Sequence, residues 1–315
     1  MMPHKIALAT NIAVMNIFLY LLVLVCWGTT WYGVSLQVQS DVPTTISVAW
    51  RFLLAGAILF IWIIARGKRL RFPLAYHRNW LIIGLFLFCL NFISIYQGSR
   101  YLPSGLVSLV FSTITIFTIF NGALLFGKPV VGRTILGSAI GVAGLAVVFS
   151  AEFAHLDISQ PLTWGAPILN GLMWSLLATF IASLGMLTSG KIQARKVPLL
   201  QSNAYSMLYG ALMTLLFAYA MGDRVAFDTG LSYTGSLLFL AISGSVIGFT
   251  AYLKLLNNIG ADKAAYANVF TPIIALTISS VLEDYTWTLI NVFGVMLIIV
   301  GNIVVVYKKT PASKP

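Results

Sequence analysis

Acidic side chains are scarce in this sequence. Eight Asp and Glu occur among 315 residues, and each lies in a loop or at the end of an apolar stretch. Histidine is scarcer still, with His4, His77 and His155 all in connecting segments. An enzyme buried in a membrane needs a nucleophile and base, a carboxylate pair or a metal cluster, and residues so placed form none of these. No cofactor and no metal are expected. The two cysteines, Cys26 and Cys89, fall inside apolar stretches, where they read as small packing residues that carry no information on redox compartment. Long polar segments are also missing. The widest connections, near 66–78 and 151–163, are too short for a soluble catalytic or receptor module.

What the sequence does contain is apolar. Hydrophobic residues make up 59% and charged residues 9%, with a mean hydropathy of +0.93, whereas soluble domains run at about 45–50% and about 25%. A hydrocarbon core of about 30 Å takes about 20 apolar residues per helix. That ruler gives ten spans, at 16–36, 45–65, 79–99, 104–126, 132–150, 164–188, 199–221, 234–256, 262–282 and 287–307. The first follows the basic start "MMPHK". Its apolar stretch outruns a signal-peptide core and no small-residue cleavage site interrupts it, so a retained signal-anchor helix is expected.

A formal net charge of +11 would suit a nucleic-acid partner, but its distribution points to a lipid bilayer. With the N-terminus in the cytoplasm, sixteen of the nineteen basic residues fall inside: Lys5, the cluster Arg66, Lys68, Arg69, Arg71 and Arg78, then Lys128, Arg133, Lys191, Arg195, Lys196, Lys254, Lys263, Lys308, Lys309 and Lys314. Arg100 and Arg224 fall outside, and Arg51 lies within a span. Seven acids (Asp41, Glu152, Asp157, Asp223, Asp228, Glu283 and Asp284) fall outside, leaving Asp262 inside. Such asymmetry follows the positive-inside rule and supports both the span count and the orientation.

Ten spans divide into two fives. Shifting the chain by 157 residues lays "RTILGSAIGVAGLAVVFS" on "INVFGVMLIIVGNIVVVY", pairing Gly137 with Gly294, Gly144 with Gly301 and Val147-Val148 with Val304-Val305. An odd number of spans per half makes the halves enter the membrane from opposite sides. The expected fold is therefore an all-α membrane protein of ten transmembrane helices, two inverted five-helix repeats at 16–150 and 164–307, with both termini cytoplasmic. Inverted repeats of this kind hold their ligand at the repeat interface near the midplane.

Polar and aromatic residues inside the spans are the candidates for such a site. Trp27 lies mid-helix, away from the interfacial belts where lipid-facing tryptophans gather. Thr30 and Trp31, three and four residues on, share its face. A shift of 147 residues brings Trp27 onto Trp174, with Asn170 four residues earlier on the same face. These tryptophans read either as two aromatic walls of a cavity, with Gly28 admitting a close neighbour, or as core packing. In the fourth span Ser104, Ser108, Ser112 and Thr115 form one stripe of a 3.6-residue period; in the ninth, Ala261, Ala264, Asn268 and Pro272 form another. Both stripes suit either cavity lining or close helix packing. Pro272 frees a carbonyl one turn earlier, near Asn268. Asn91 and Tyr252 read as further lining residues or as interhelical hydrogen-bonding groups. Lys254 is placed to snorkel. Arg51, roughly 9 Å from the outer end of its helix, reads either as snorkelling or as a fixed cation for helix carbonyls or an anionic group. The glycines 137, 141 and 144 suit packing within the chain more than dimerisation, and no oligomeric state follows from them.

The order of these features resembles the EamA family of the drug/metabolite transporter superfamily. The residues carrying the resemblance are "WG" in the first helix (Trp27-Gly28), "PSGLVSLVF" opening the fourth (Pro103 to Phe111) and "FTPIIAL" in the ninth (Phe270 to Leu276). The similarity spans about residues 16 to 307. Two positions depart from it: Thr115 stands where the second half has Pro272, and Lys128 where the family often has an acid. The resemblance implies an alternating-access carrier of a small-molecule substrate in the bacterial inner membrane, most often an exporter of amino acids or related metabolites. Some members handle lipid-attached groups, so a flippase of a lipid-linked substrate is the alternative. An ion channel would instead show a charged ring or repeated filter loops. Without an intramembrane acid or histidine, the solute is expected to be neutral, zwitterionic or anionic, moving without an obligatory proton. Glu283 and Asp284, at the outer end of the ninth helix, are the groups that would still allow coupling.

Overall fold

The computed structural model describes residues 2–127, 129–154, 167–193, 197–259, 264 and 266–306. The expectations for Lys128, His155, Asp157, Arg195, Lys196, Ala261, Asp262, Lys263, Lys308, Lys309 and Lys314 fall outside this set, as do the side chains of Lys5 and Lys191. Among the described residues the chain is helical and contains no strand. Ten helical rods follow one another: α1 (Met2–Val38), α2 (Thr44–Ala65), α3 (Leu74–Gly98), α4 (Ser104–Phe126), α5 (Gly132–Ala154), α6 (Pro167–Gln193), α7 (Leu199–Ala220), α8 (Leu231–Leu255), α9 (Tyr266–Leu282) and α10 (Leu289–Val306).

Eight of these are long and apolar enough to cross a bilayer, and α9 adds a shorter apolar stretch, Ala267–Leu282. The remaining rod, α7, has the length but carries Gln201, Ser202, Asn203, Ser206 and Thr214; four of these are buried against neighbouring helices, which is how a bilayer helix tolerates them. Prolines start several rods (Pro43 before α2, Pro103 before α4, Pro198 before α7), where the missing N–H has no helical partner to lose. Several boundaries differ from the sequence reading, and α5 and α6 run on to Ala154 and Gln193. Helix α1 begins well before residue 16, and α3 begins at Leu74, directly after Pro73, with Trp80 buried under Tyr205 of α7, ring centroids 4.7 Å apart and planes at 3°.

Helix pairing follows the repeat. Helix α1 packs on α8 and α9, and its counterpart α6 packs on α3 and α4; α2 packs on α8, and its counterpart α7 on α3. The pairs α5·α10, α2·α7 and α4·α9 join equivalent helices of the two halves. The α5·α10 crossing is the tightest test of that symmetry. A Cβ on Gly137 would stand 2.7 Å from the Gly301 carbonyl oxygen, and one on Gly144 would stand 2.7 Å from that of Gly294. Exchanging each glycine for its partner in the 157-residue register turns one contact into the other.

Two departures from regular helix were invisible in the sequence. The third helix of each repeat widens into a π-helical stretch, Gly84–Leu90 in α3 and Leu240–Gly248 in α8. In α3 the Asn91 N–H reaches back five residues to the Phe86 carbonyl. In α8 the Ser245 side-chain hydroxyl also donates to a carbonyl five residues back, that of Leu240. Helix α4 breaks at Ser112-Thr113, where Thr113 has ψ 0° and the two hydroxyls donate to the carbonyls of Leu109 and Val110 at 2.7 Å each. Helix α9 runs unbroken through Pro272. The serine stripe of α4 is therefore carried by two shorter helices instead of one straight face.

Candidate functional site

Between the halves lies a cavity of about 1310 Å³. Its lining includes Phe126 at the end of α4, Arg133 at the start of α5, Ser189 and Gly190 near the end of α6, Ser202 and Asn203 at the start of α7, and Val305 and Val306 at the end of α10. All of these lie at the end of the bundle where Arg66, Lys68, Arg69, Arg71 and Arg78 are exposed. This basic end is where the cavity reaches the surface.

The opposite, acidic end is closed by hydrogen bonds. Gln37 of α1 donates to the Tyr233 carbonyl and to Ser236 of α8, both at 2.8 Å. Ser47 of α2 meets the Tyr233 hydroxyl at 3.0 Å, and Thr45 donates to Asp223 at 2.6 Å. Glu283, at the end of α9, accepts from the Ser104 N–H (3.1 Å) and hydroxyl (2.6 Å) and from Ser279. A carboxylate at the N-terminus of α4 satisfies both the free backbone N–H and the helix dipole. Outside this seal, Ser35, Gln39, Arg100, Glu283 and Asp284 border a vestibule of about 480 Å³. Val34 lines the central cavity and Ser35, on a different face of α1, the vestibule.

Ten of the twelve residues singled out in the sequence line the central cavity: Trp27, Thr30, Trp31, Asn91, Ser108, Ser112, Thr115, Tyr252, Asn268 and Pro272. The Trp27 indole donates to the Gly244 carbonyl at 3.2 Å, an oxygen held in the π-helical stretch of α8. Its ring packs on Tyr252 (4.8 Å between centroids) and Phe249 (5.3 Å). Gly248 allows this approach, since a Cβ there would stand 2.6 Å from the indole nitrogen. Thr30 donates to the Trp27 carbonyl at 2.9 Å, and Trp31 lies against Phe111, 5.4 Å between centroids. Asn91 donates to Leu87 at 3.1 Å, while its Oδ1 and the Ser108 hydroxyl are buried without a hydrogen-bond partner.

Trp174 and Asn170 are not among the residues that line this cavity. Helix α6 is half-turned away from it. Its buried face, with Ser175, Thr179 and Ser183, packs on α3 and α4, and only its last turns, from Met186 on, reach the cavity. The aromatic surface is instead continued from Trp27 by Phe249 and Tyr252 of α8; Tyr252 was a sequence candidate, whereas nothing distinguished Phe249 among 20 phenylalanines.

Arg51 does not snorkel. It is 3% exposed, lines the cavity and donates through Nε to Ser245 at 3.2 Å, with its guanidinium over the rings of Phe92 (4.6 Å) and Phe52 (5.2 Å). Its presence in a span was the sequence signal for it. Among the described residues that line the cavity there is no Asp, Glu or His, and no group of three metal-ligating side chains occurs among the described residues.

Comparison with known proteins decides what kind of molecule carries this cavity. The profile of the EamA-like transporter family matches residues 14–150 and again 169–307. The chain belongs to the EamA-like transporter family. Across 289 residues it is 25% identical to YedA, an inner membrane transporter of Escherichia coli strain K12, covering 88% of each protein. Over 298 residues it is 25% identical to an E. coli protein named "probable amino-acid metabolite efflux pump", covering 90% of this chain and 92% of the relative. A crystal structure sharing 18% identity superposes with a TM-score of 0.65 over 92% of this chain and 95% of the other, which shows a shared fold. This EamA-family transporter is a multi-pass protein of the inner membrane.

Proposed function

We propose that this transporter is an alternating-access carrier that exports small metabolites such as amino acids, with Trp27, Thr30, Trp31, Asn91, Ser108, Ser112, Thr115, Tyr252, Asn268 and Pro272 contacting the solute. The observation that carries the reading is a cavity of about 1310 Å³ lined by helices of both halves, reaching one end of the bundle and closed at the other. That volume exceeds the about 300–1,000 Å³ of ordinary small-molecule pockets, as a cavity that is open at one end does, and leaves ample room for a small organic solute. The similarity to an amino-acid metabolite efflux pump supports the same solute class.

In this reading the basic end faces the cytoplasm, as the charge asymmetry favours, and the cavity stands inward-open. The two halves, 16–150 and 164–307, rock against each other. Breaking the Gln37, Ser47 and Glu283 contacts at the acidic end opens the path outward. Single cysteines placed by Gly67→Cys and Gly230→Cys test the orientation: an impermeant maleimide on intact cells labels the second and spares the first. The reverse pattern overturns it.

Purified protein in liposomes tests the transport reading. Export of amino acids by cells carrying the protein and counterflow of the same solutes in vesicles are expected, and the flux persists when a protonophore collapses any pH gradient. Uphill movement driven by an imposed pH gradient and abolished by Glu283→Gln shows proton coupling instead. Headgroup movement in vesicles without solute counterflow identifies a flippase.

A further inference from the structure

Arg51 is an expensive residue to hold where it is. A charged side chain at the centre of a bilayer helix costs about 2.5–3.5 kcal/mol on insertion scales unless partners compensate it. A guanidinium carries five N–H donors. Here Nε has Ser245, the buried Tyr96 hydroxyl lies beside the guanidinium, two phenyl faces cover the plane, and Nη1 makes no hydrogen bond of normal geometry to any of them. Buried donors are almost always satisfied, and the cavity that Arg51 borders presents no acid among its described lining residues. Two more buried polar atoms on the same cavity lack partners, Asn91 Oδ1 and the Ser108 hydroxyl. One on α2, one on α3 and one on α4, they surround the same space as the rings of Trp27, Trp31 and Tyr252.

We propose that Arg51 anchors the carboxylate of the transported solute, a proposal that rests on the carrier reading above and narrows its substrate to organic carboxylates, amino-acid zwitterions included. The planar guanidinium matches a carboxylate through paired N–H donors. Ser245 and the ring faces of Phe92 and Phe52 fix its plane before the solute arrives, so little side-chain freedom is lost on binding. Asn91 and Ser108 accept a second polar group such as an ammonium, and the aromatic surface takes the apolar remainder. An amine without a carboxylate meets an unneutralised cation and is rejected.

The test uses the full-length protein in phosphatidylcholine vesicles. Phenylglyoxal modification of Arg51 is followed by peptide mass spectrometry, with Arg66 and Arg78 as internal controls. Four probes share one ring: 3-phenylpropionate, L-phenylalanine, 3-phenylpropanamide and phenethylamine. The two carboxylates are expected to slow modification of Arg51 by about tenfold or more, the factor set by one charge-assisted contact, while the amide and the amine leave it unchanged. An unreactive Arg51, protection by none of the four, or equal protection by all four overturns the proposal. So does full protection in phosphatidylglycerol vesicles with no probe added, which assigns the cation to a lipid headgroup. Phenylalanine flux in the same vesicles separates the two readings. Loss on Arg51→Gln with partial rescue by Arg51→Lys supports the anchor, and wild-type flux in Arg51→Gln overturns it. Protection without any flux in the wild type overturns the carrier reading and leaves Arg51 as a carboxylate-binding group only.

Discussion

At the α5·α10 crossing the two halves of this transporter are interchangeable; around the cavity they are not. Gly137 meets Gly301 and Gly144 meets Gly294 at matching distances, backbone against backbone. The cavity takes Trp27 from α1, while Trp174, its partner in the 147-residue register, stays outside the lining. Sterics explain the first region. Two helices whose backbones touch admit no side chain, so both must carry small residues at the crossing and the two-fold relation survives. The second region is a space, and its lining depends on how far each helix is turned. Helix α1 turns its tryptophan toward the π-helical carbonyl of Gly244, whereas α6 buries hydroxyls against α3 and α4. Scaffold symmetry and site asymmetry thus coexist in one repeat plan.

The largest effect is expected where the symmetry is strictest. A Cβ at Gly301 would stand 2.5 Å from the Gly141 nitrogen and 2.6 Å from the Gly137 oxygen, both backbone atoms that cannot yield. Gly301→Leu and Gly144→Leu are each expected to abolish folded protein on size-exclusion chromatography after solubilisation, because overpacking costs about 1–3 kcal/mol even where side chains can adjust. A difference between the two would break the symmetry of the crossing.

A smaller effect, on transport instead of folding, is expected at the tryptophans. Trp27→Ala removes the indole bond to Gly244 and two ring contacts facing the cavity, and should lower solute flux about tenfold, the equivalent of about 1.4 kcal/mol, with the melting temperature little changed. Trp174→Ala, outside the lining, should leave flux per folded molecule within about twofold, well under that 1.4 kcal/mol step, and act on stability alone. Equal loss of flux in both would restore the paired-wall arrangement that the sequence suggested.

Much of the site was legible because its residue types are out of place in a bilayer. Trp27, Thr30, Asn91, Ser108, Ser112 and Asn268 stand out against an apolar background, and Arg51 stands out most. Phe92, Phe111, Phe249 and Ile119 do not, since an apolar side chain looks the same whether it meets lipid, protein or a cavity. The π-helical stretches carried no signal either. "GLFLFCL" and "LAISGSVIG" hold nothing that forbids an ordinary α-helix; tertiary contacts set the extra residue per turn, Gly84 against Gly210 in one half and Gly244 against Thr30 and Arg51 in the other. In α4, adjacent hydroxyls at Ser112-Thr113 donate to carbonyls three residues back where the helix breaks, with no proline present.

By itself the sequence determined the ten spans, the segregation of basic and acidic ends and the glycine register of the two halves. Each follows from a local property: apolar length, charge, or absence of a Cβ. Tertiary structure alone decided which faces look inward, that α6 withholds Trp174, that α8 widens to offer the Gly244 carbonyl to Trp27, and that Arg51 lines a cavity instead of reaching for the surface. In a bilayer the lipid and the protein interior are equally apolar, so hydrophobicity sets where a helix crosses but not how it is turned. Close packing against the few helices each one touches sets that.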